Sequence, residues 1–158
     1  MSQPSFESKI CPPEELESRI KALARPLVFT NGVFDLLHRG HASYLDRAKS
    51  LGKSLLVALN SDASARRLGK GADRPINQLE DRTALISALG STDIVTWFED
   101  DTPLKLILRV KPDVLVKGGD WDVTNMVGAR EVESWNGRAY SIPFEFERST
   151  TGMLARIR

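Results

Sequence analysis

Short apolar segments alternate with helical segments along most of the chain, and this alternation constrains the fold more than any other feature. Strand-like runs occupy residues 26–30, 54–60, 93–98, 112–119 and 137–144. Helical spacing or helix-start residues occupy 13–23, 41–51, 61–68, 77–90, 102–110 and 149–157. Strands connected through helices pair in parallel and need cover on both faces. The pattern therefore predicts an α/β fold with a mainly parallel five-stranded sheet and helices on both faces.

The composition indicates a globular chain and excludes several classes of function. The 158 residues are 41% hydrophobic and 27% charged, which suits one ordinary domain. A net charge of +1 does not favour electrostatic binding to nucleic acid or to a membrane, so we expect neither as a partner. The chain has no signal-peptide pattern and a single cysteine, Cys11. Both features favour a cytoplasmic protein.

We divide the chain at residue 25. Residues 1–25 are predicted to form a tail and a helix, with the first dozen residues polar and loosely held. Pro13, followed by acidic residues, is typical of a helix start. Residues 26–158 are predicted to form one domain, because they contain neither an internal repeat nor a low-complexity segment.

Polar residues stand where three of the predicted strands end. They are Thr30-Asn31-Gly32, Asn60-Ser61-Asp62 and Lys117-Gly118-Gly119-Asp120. The carboxyl ends of parallel strands lie at one edge of the sheet, and ligands bind there. We therefore expect these three segments to share a site.

The segment FTNGVFDLLHRGH, residues 29–41, is the strongest candidate for binding at that edge. His38 and His41 are three residues apart, so they share a face in a first helical turn. Glycines at 32 and 40 let a ligand approach the main chain, and the free N–H groups of a helix start attract anions. Two imidazoles can then stabilise charge that grows on a phosphate during its transfer. The alternative is that one histidine caps the helix and the other packs on the sheet.

The sequence lacks several other motifs that bind metals, phosphates or dinucleotides or that supply a catalytic nucleophile. The chain has no further histidine, so a zinc site is not expected and we predict no metal held by the protein. The P-loop pattern and the GxGxxG pattern are both missing, as is a nucleophile elbow. The segment GKGAD, residues 69–73, is only weakly similar to a P-loop. The alternative interpretation of this segment is a solvated turn.

These motifs resemble those of a known superfamily. NGVFDLLHRGH, with HxGH at 38–41, resembles the signature of the HxGH nucleotidyltransferases, and VKGGDW (116–121) and STT (149–151) resemble further elements of their cytidylyltransferase-like branch. The blocks ALNSDASARRL, RPINQLEDR, DTPLKLILRVKPDVLVKGGDW and FEFERSTT are similar to the adenylyltransferases of ADP-heptose synthesis. These occur alone or joined to a heptose kinase, and this chain resembles the stand-alone form. The similarity runs from Leu27 to Ile157 and implies a single Rossmann-like domain.

The resemblance implies a reaction and its participants. AMP would pass from ATP to D-glycero-D-manno-heptose 1-phosphate, giving ADP-heptose and pyrophosphate for lipopolysaccharide core biosynthesis. Mg²⁺ would be bound by the phosphates rather than by a protein cage, and no covalent enzyme intermediate would form. Relatives are commonly homodimers, so a homodimer is expected here.

The pattern of residues and the resemblance together assign the site. Catalytic roles are expected for His38 and His41. The resemblance adds a catalytic role for Lys70, which lies on the loop where the family places a mobile lysine against the phosphates. The nucleotide and its phosphates are expected to contact Thr30, Asn31, Gly32, Val33, Phe34, Gly40, Arg82, Lys117, Gly118, Ser149, Thr150 and Thr151. The substrate pocket is expected to include Asp35, Asn60, Asp62, Asp120 and Trp121.

Simpler structural roles compete with several of these assignments. Arg82 would otherwise be a solvated helix residue, and Ser149–Thr151 only a helix cap. Asp120 and Trp121 would form a turn and a core aromatic, and Asp35 would order its loop through local hydrogen bonds.

Two other functions compete with heptose adenylylation. One is a transferase that uses CTP or GTP, or another phosphorylated substrate such as glycerol 3-phosphate. Phe144 stands where glycerol-phosphate cytidylyltransferases carry an arginine, which favours the heptose branch. The other is a non-catalytic nucleotide-binding module, against which the intact histidines and STT block argue.

Overall fold

Five parallel strands form one sheet through the centre of the molecule. They are β1 (Leu27–Gly32), β2 (Ser54–Asn60), β3 (Ile94–Phe98), β4 (Val114–Gly118) and β5 (Arg138–Ile142), in the spatial order β3-β2-β1-β4-β5. The structure is a computed structural model that describes residues 1–120, 122–146 and 148–157. Every neighbouring pair is parallel, which confirms the predicted α/β fold and parallel sheet. The strand order reverses at β1, so a crevice opens beyond its carboxyl end.

Helices cover both faces of the sheet. They are α1 (Leu16–Ile20), α2 (Arg39–Lys49), α3 (Asp62–Arg67), α4 (Leu79–Ser87), α5 (Leu104–Val110), α6 (Ala129–Ser134) and α7 (Thr150–Ile157). Short 3₁₀ turns occupy Ser5–Lys9, Pro13–Glu15 and Val123–Asn125. Apolar side chains of α1, α5 and α6 pack in one core cluster, and those of α2 and α4 pack in a second.

Alternation along the strands divides the core between these two clusters. In β1, Leu27 and Phe29 join the cluster of α1 and α5, whereas Val28 between them joins the cluster of α2 and α4. Every residue of β2 is buried. A sheet covered on both faces needs such continuous apolar strands, which is why these runs are so prominent in the sequence.

The helix α6 has no counterpart among the predicted elements. Its sequence, AREVES, buries only Ala129 and Val132 and begins after Gly128, whose φ of +88° favours glycine. Two buried positions give too weak a periodicity to predict a helix from sequence.

The prediction of a loosely held N-terminal segment is wrong. Cys11 is fully buried, and its N–H donates to the carbonyl of Val95 at 2.7 Å, while Ile10 bridges the same strand in parallel. The polar composition hides this docking, which satisfies backbone groups of the edge strand β3. Leu16 and Ile20 of α1 belong to the main core. The division of the chain at residue 25 stays a prediction.

No helix in the described ranges is long and apolar enough to cross a membrane.

Candidate active site

Both histidines of the HRGH segment are built into the start of α2. His38 is the N-cap, and its Nδ1 accepts a hydrogen bond from the N–H of Gly40 at 3.1 Å. The Nδ1 of His41 accepts in turn from the N–H of His38 at 3.4 Å. Since each Nδ1 is an acceptor, each neutral ring carries its proton on Nε2. The predicted cap therefore exists, and it leaves an Nε2–H donor on both rings.

The two imidazoles lie against each other. Their centroids are 3.8 Å apart with planes 25° from parallel, and Phe34 packs edge-on against His41 at 5.3 Å. Gly40 makes this possible, because a Cβ there would lie 2.9 Å from both Cε1 and Nδ1 of His38. The glycine of HxGH thus clears space for the capping ring.

Both histidines are neutral at pH 7. Burial lowers the pKa of His41 from 6.5 to about 4, followed by repulsion from His38 when that ring is itself protonated and by repulsion from Lys70. Burial, followed by the charge of Arg148, also lowers the pKa of His38. Uncharged rings with Nε2–H groups are hydrogen-bond donors over the whole physiological range.

A cavity of about 410 Å³ opens beside the histidines, and we call it the histidine lobe. It brings together most residues of the sequence-predicted site: Asn31, Gly32, Val33, Phe34, Asp35, His38, His41, Lys70, Lys117, Gly118, Ser149, Thr150 and Thr151. It also includes residues that sequence reasoning missed, namely Tyr44, Arg74, Phe144 and Arg148. Basic side chains, hydroxyls and main-chain groups around one opening suit a polyanion.

A second cavity of about 420 Å³ adjoins the first, and we call it the distal lobe. Both lobes share Asn31, Gly32, Val33, Lys70 and Lys117. The distal lobe adds Asn60, Leu68, Asp101, Thr102, Pro103, Leu115, Val116, Met126 and Val127. The end of β1 therefore lies between two compartments, as a reaction between two substrates requires.

Lys70 and Lys117 approach this boundary in different ways. Lys70 is exposed and lies between Gly69 and Gly71, whose φ values of +72° and +127° belong to glycine. Lys117 is half-buried at the end of β4, and burial lowers the pKa of its ammonium.

Arg82 is fully buried, so the alternative of a solvated helix residue is wrong. Its Nε donates to the carbonyl of Asn77 at 2.9 Å, and its Nη1 donates to the carbonyls of Val33 and Asn60, each at 2.9 Å. Its Nη2 contacts the carboxylate of Asp62 at 2.6 Å. Arg82 thus ties the loop after β1 to β2, and neither Arg82 nor Asp62 lines the two lobes. Their contacts with substrates stay predictions.

Three further predicted residues lie outside both lobes. Thr30 is buried and shares a 2.5 Å hydrogen bond with the hydroxyl of Tyr44, whose pKa burial raises. Gly40 is buried at the start of α2, and Asp120 is exposed after β4. Trp121 lies outside the described residues.

The start of α7 lines the histidine lobe with the hydroxyl-bearing residues Ser149, Thr150 and Thr151 and also carries a helix cap. Ser149 Oγ accepts from the N–H of Gly152 at 2.9 Å, and the Thr150 hydroxyl donates to the carbonyl of Leu36 at 3.2 Å. The Ser149 bond caps α7, and the Thr150 bond holds α7 against the loop before α2. The contact of Ser149–Thr151 with phosphates stays a prediction.

Asp35 orders its surroundings through bonds to a distant segment, and not through the local hydrogen bonds that the alternative proposed. Only 2% exposed, it accepts from the N–H groups of Ile76 and Asn77 and from the Nε of Arg74, at 2.8 to 2.9 Å. Burial alone would raise the pKa of Asp35, but these donors outweigh it, and the pKa lies below its usual range. Arg74 is 39 positions away in sequence, so no local signal identifies it as the partner.

Comparisons with known proteins identify the family of the chain. The family description that matches is Cytidylyltransferase-like, and the match covers residues 29–151. The chain belongs to the cytidylyltransferase-like family. The resemblance inferred from the HxGH segment is therefore confirmed.

The chain spans almost the whole of one relative and less than a third of another. The chain is 58% identical, over 100% of its length and 99% of the relative, to a D-beta-D-heptose 1-phosphate adenylyltransferase of Bordetella bronchiseptica. It is 49% identical to the Bifunctional protein HldE of Hahella chejuensis over 87% of this chain, but it spans only 29% of that protein.

Two solved structures share the fold. A lipopolysaccharide core biosynthesis protein from Thermoplasma volcanium aligns with a TM-score of 0.64 and 31% identity, over 77% of this chain and 98% of that one. A pantoate-beta-alanine ligase from Francisella tularensis aligns with a TM-score of 0.58 and 18% identity, over 90% of this chain and 69% of that one. The second likeness concerns the fold alone.

Proposed function

We propose that this cytidylyltransferase-like enzyme transfers AMP from ATP to D-glycero-D-manno-heptose 1-phosphate in its β form. The products are ADP-heptose, for lipopolysaccharide core biosynthesis, and pyrophosphate. The observation that carries the proposal is the end-to-end similarity, at 58% identity, to a relative named for an adenylyl transfer to D-beta-D-heptose 1-phosphate. The paired imidazoles of the histidine lobe, which adjoins the distal lobe, supply a matching site.

The two lobes suit the two substrates differently. The histidine lobe holds four basic side chains and the hydroxyls of α7, and it is the place for the triphosphate of ATP. The distal lobe offers Asn60, Asp101 and Thr102, whose amide, carboxylate and hydroxyl groups can bind sugar hydroxyls. The α-phosphorus then lies at the shared boundary, beside Asn31 and Lys117.

The reaction is an in-line displacement at that phosphorus. An oxygen of the sugar phosphate attacks the α-phosphorus, and the bond to the α–β bridging oxygen breaks, so its electron pair leaves with pyrophosphate. The Nε2–H groups of His38 and His41 stabilise the negative charge that grows during transfer. The attacking phosphate oxygen is already ionised at neutral pH, so the step needs no general base.

Mg²⁺ would be bound through the phosphates. The described residues contain no group of three or more histidine, cysteine, aspartate or glutamate side chains placed to hold a metal. The carboxylate of Asp35, which lines the histidine lobe, is taken by Arg74 and two main-chain amides. Phosphate oxygens are the ligands that Mg²⁺ prefers in such sites, where it neutralises charge on the β- and γ-phosphates.

Pyrophosphate release tests the proposal. The protein is incubated with Mg²⁺, one of ATP, CTP or GTP, and one of the β- or α-anomer of the heptose 1-phosphate or glycerol 3-phosphate. We expect release only with ATP and the β-anomer. Preference for another pair would establish the alternative transferase, and no release with any pair would establish a non-catalytic module. The homodimer and the cytoplasmic location stay predictions.

A further inference from the structure

Arg74 is a buried guanidinium outside the sequence-predicted site. Its side chain is 8% exposed and that of Asp35, its ion-pair partner, is 1% exposed. Arg74 Nε donates to Asp35 Oδ2 at 2.8 Å. Because Asp35 also accepts from Ile76 and Asn77, the carboxylate is fixed and it fixes the guanidinium in turn.

Most hydrogen-bond donors of Arg74 remain unused by the protein. A guanidinium carries five N–H groups, and the bond to Asp35 uses the one on Nε. Within the described part of the chain, neither Nη group has a protein hydrogen-bond partner. Arg82 differs, because its Nε, Nη1 and Nη2 all donate to protein oxygens. Neither Nη group of Arg74 is among the fully buried polar atoms of the described residues that lack a partner, so the exposed part of this side chain opens into the histidine lobe, where a ligand can accept its hydrogen bonds.

The surroundings of Arg74 indicate which ligand this is. Arg74 lines the histidine lobe, together with Arg148, Ser149 and Thr151, and it does not line the distal lobe. It therefore lies on the triphosphate side of the boundary rather than on the sugar side. A planar fork of N–H groups matches two phosphate oxygens, as an ammonium group does not.

We infer that Arg74 binds the β- and γ-phosphates of the nucleotide through its Nη groups, and that Asp35 is the positioning residue that aims it. The inference rests on the proposed function, because it assigns one more residue to the leaving pyrophosphate. Arg74 would hold that group before and after the α–β bond breaks, and would leave the sugar phosphate untouched.

Equilibrium binding of inorganic pyrophosphate and of AMP, each with Mg²⁺, tests this assignment by calorimetry. In Arg74→Gln we expect pyrophosphate to bind about 10- to 100-fold more weakly and AMP within twofold of the wild type, because AMP lacks the β- and γ-phosphates. The control is Arg66→Gln, which removes the same charge from an exposed position on α3. It should leave both affinities within twofold of the wild type.

If Arg74→Gln does not fold, the same binding measurement is made with Arg74→Lys. The ammonium retains an ion pair with Asp35 but lacks the fork, so we expect a folded protein that binds pyrophosphate about tenfold more weakly. Urea unfolding identifies the folded variants. Wild-type pyrophosphate affinity in either folded variant, or an equal loss for AMP and pyrophosphate, would overturn the inference.

The proposed function can fail separately. If the wild type releases no pyrophosphate from ATP and the β-heptose 1-phosphate, the proposed function fails whatever Arg74 does. If the wild type turns over, Arg74→Lys should lower kcat/KM for ATP about tenfold and leave KM for the sugar phosphate within twofold. An unchanged kcat/KM for ATP would count against Arg74 alone.

Discussion

Arg82 and the histidine pair lie at the same edge of the sheet, yet they differ in how far the protein satisfies them. Arg82 is fully buried and donates through Nε and both Nη groups to protein oxygens. His38 and His41 use Nδ1 within the helix cap and keep Nε2–H beside a cavity. A polar group whose donors all bond to the protein stabilises the fold. A polar group that keeps an unused donor beside a cavity can bind a substrate.

Arg74 combines both conditions. Its Nε donates to Asp35 and so stabilises the fold. Its side chain lines the histidine lobe, and its Nη groups have no hydrogen bond to any described residue. The type of residue therefore does not decide its role, since two arginines eight positions apart are used so differently. The unused donors distinguish them.

The largest effect should come from Arg82→Met. The substitution leaves the carboxylate of Asp62, one buried carbonyl and two partly buried carbonyls without their donor, so we expect the free energy of unfolding to fall by about 3 to 5 kcal/mol. Urea denaturation measures this, with Arg66→Met as an exposed control. A loss below about 1 kcal/mol combined with a large fall in kcat would reverse the comparison and make Arg82 a substrate-binding residue.

His41→Ala should act mainly on turnover. Losing one donor to the developing charge should lower kcat about a hundredfold or more, equivalent to about 2.7 kcal/mol. Stability should change far less than in Arg82→Met. Asp46→Ala, exposed on the same helix, is the control. A folded variant with wild-type kcat would show that the ring only packs and caps.

The low pKa of His41 predicts how stability depends on pH. The folded protein holds this pKa at about 4, against 6.5 for the unperturbed group, so the unfolded chain binds the extra proton between these values. The free energy of unfolding should therefore fall by about 2 to 3 kcal/mol as the pH drops from 6.5 to 4, beyond the fall caused by other groups. His41→Gln cannot titrate there, so its unfolding curves should show a smaller decrease. Identical pH dependence in both proteins would refute the low pKa.

Gly40→Ala should give the smallest effect and the clearest separation of activity from folding. The new Cβ would lie 2.9 Å from the ring of His38 and displace it, which should lower kcat about tenfold. The lost cap, about 1 kcal/mol, is offset by the better helix propensity of alanine. Parallel kinetics and denaturation should show this split, and an unchanged kcat would mean that the ring position is unimportant.

Much of the fold can be predicted from the sequence because its strands stand out as short apolar runs between helical segments. Fully buried strands such as β2 are continuous apolar runs, and the histidine loop carries its own glycines and cap. The helix α6 and the docking of Cys11 on β3 depend on contacts between distant segments, so local patterns do not reveal them.

The same distinction applies to the site. His38 and His41 are found from sequence because helical geometry brings them together within one turn. Arg74 meets Asp35 only through the fold, and buried Arg82 donates to carbonyls of the loop after β1 and of the end of β2. Sequence patterns predict which residues bind phosphate, and the hydrogen bonds of the structure show which of these residues still have unused donors.

The most direct test of the central claim is the crystal structure of the protein with a non-hydrolysable ATP analogue. We expect the triphosphate in the histidine lobe, with phosphate oxygens within hydrogen-bonding distance, about 3 Å, of Nε2 of His38 and His41. A triphosphate bound elsewhere, with both Nε2 groups facing water, would contradict the account.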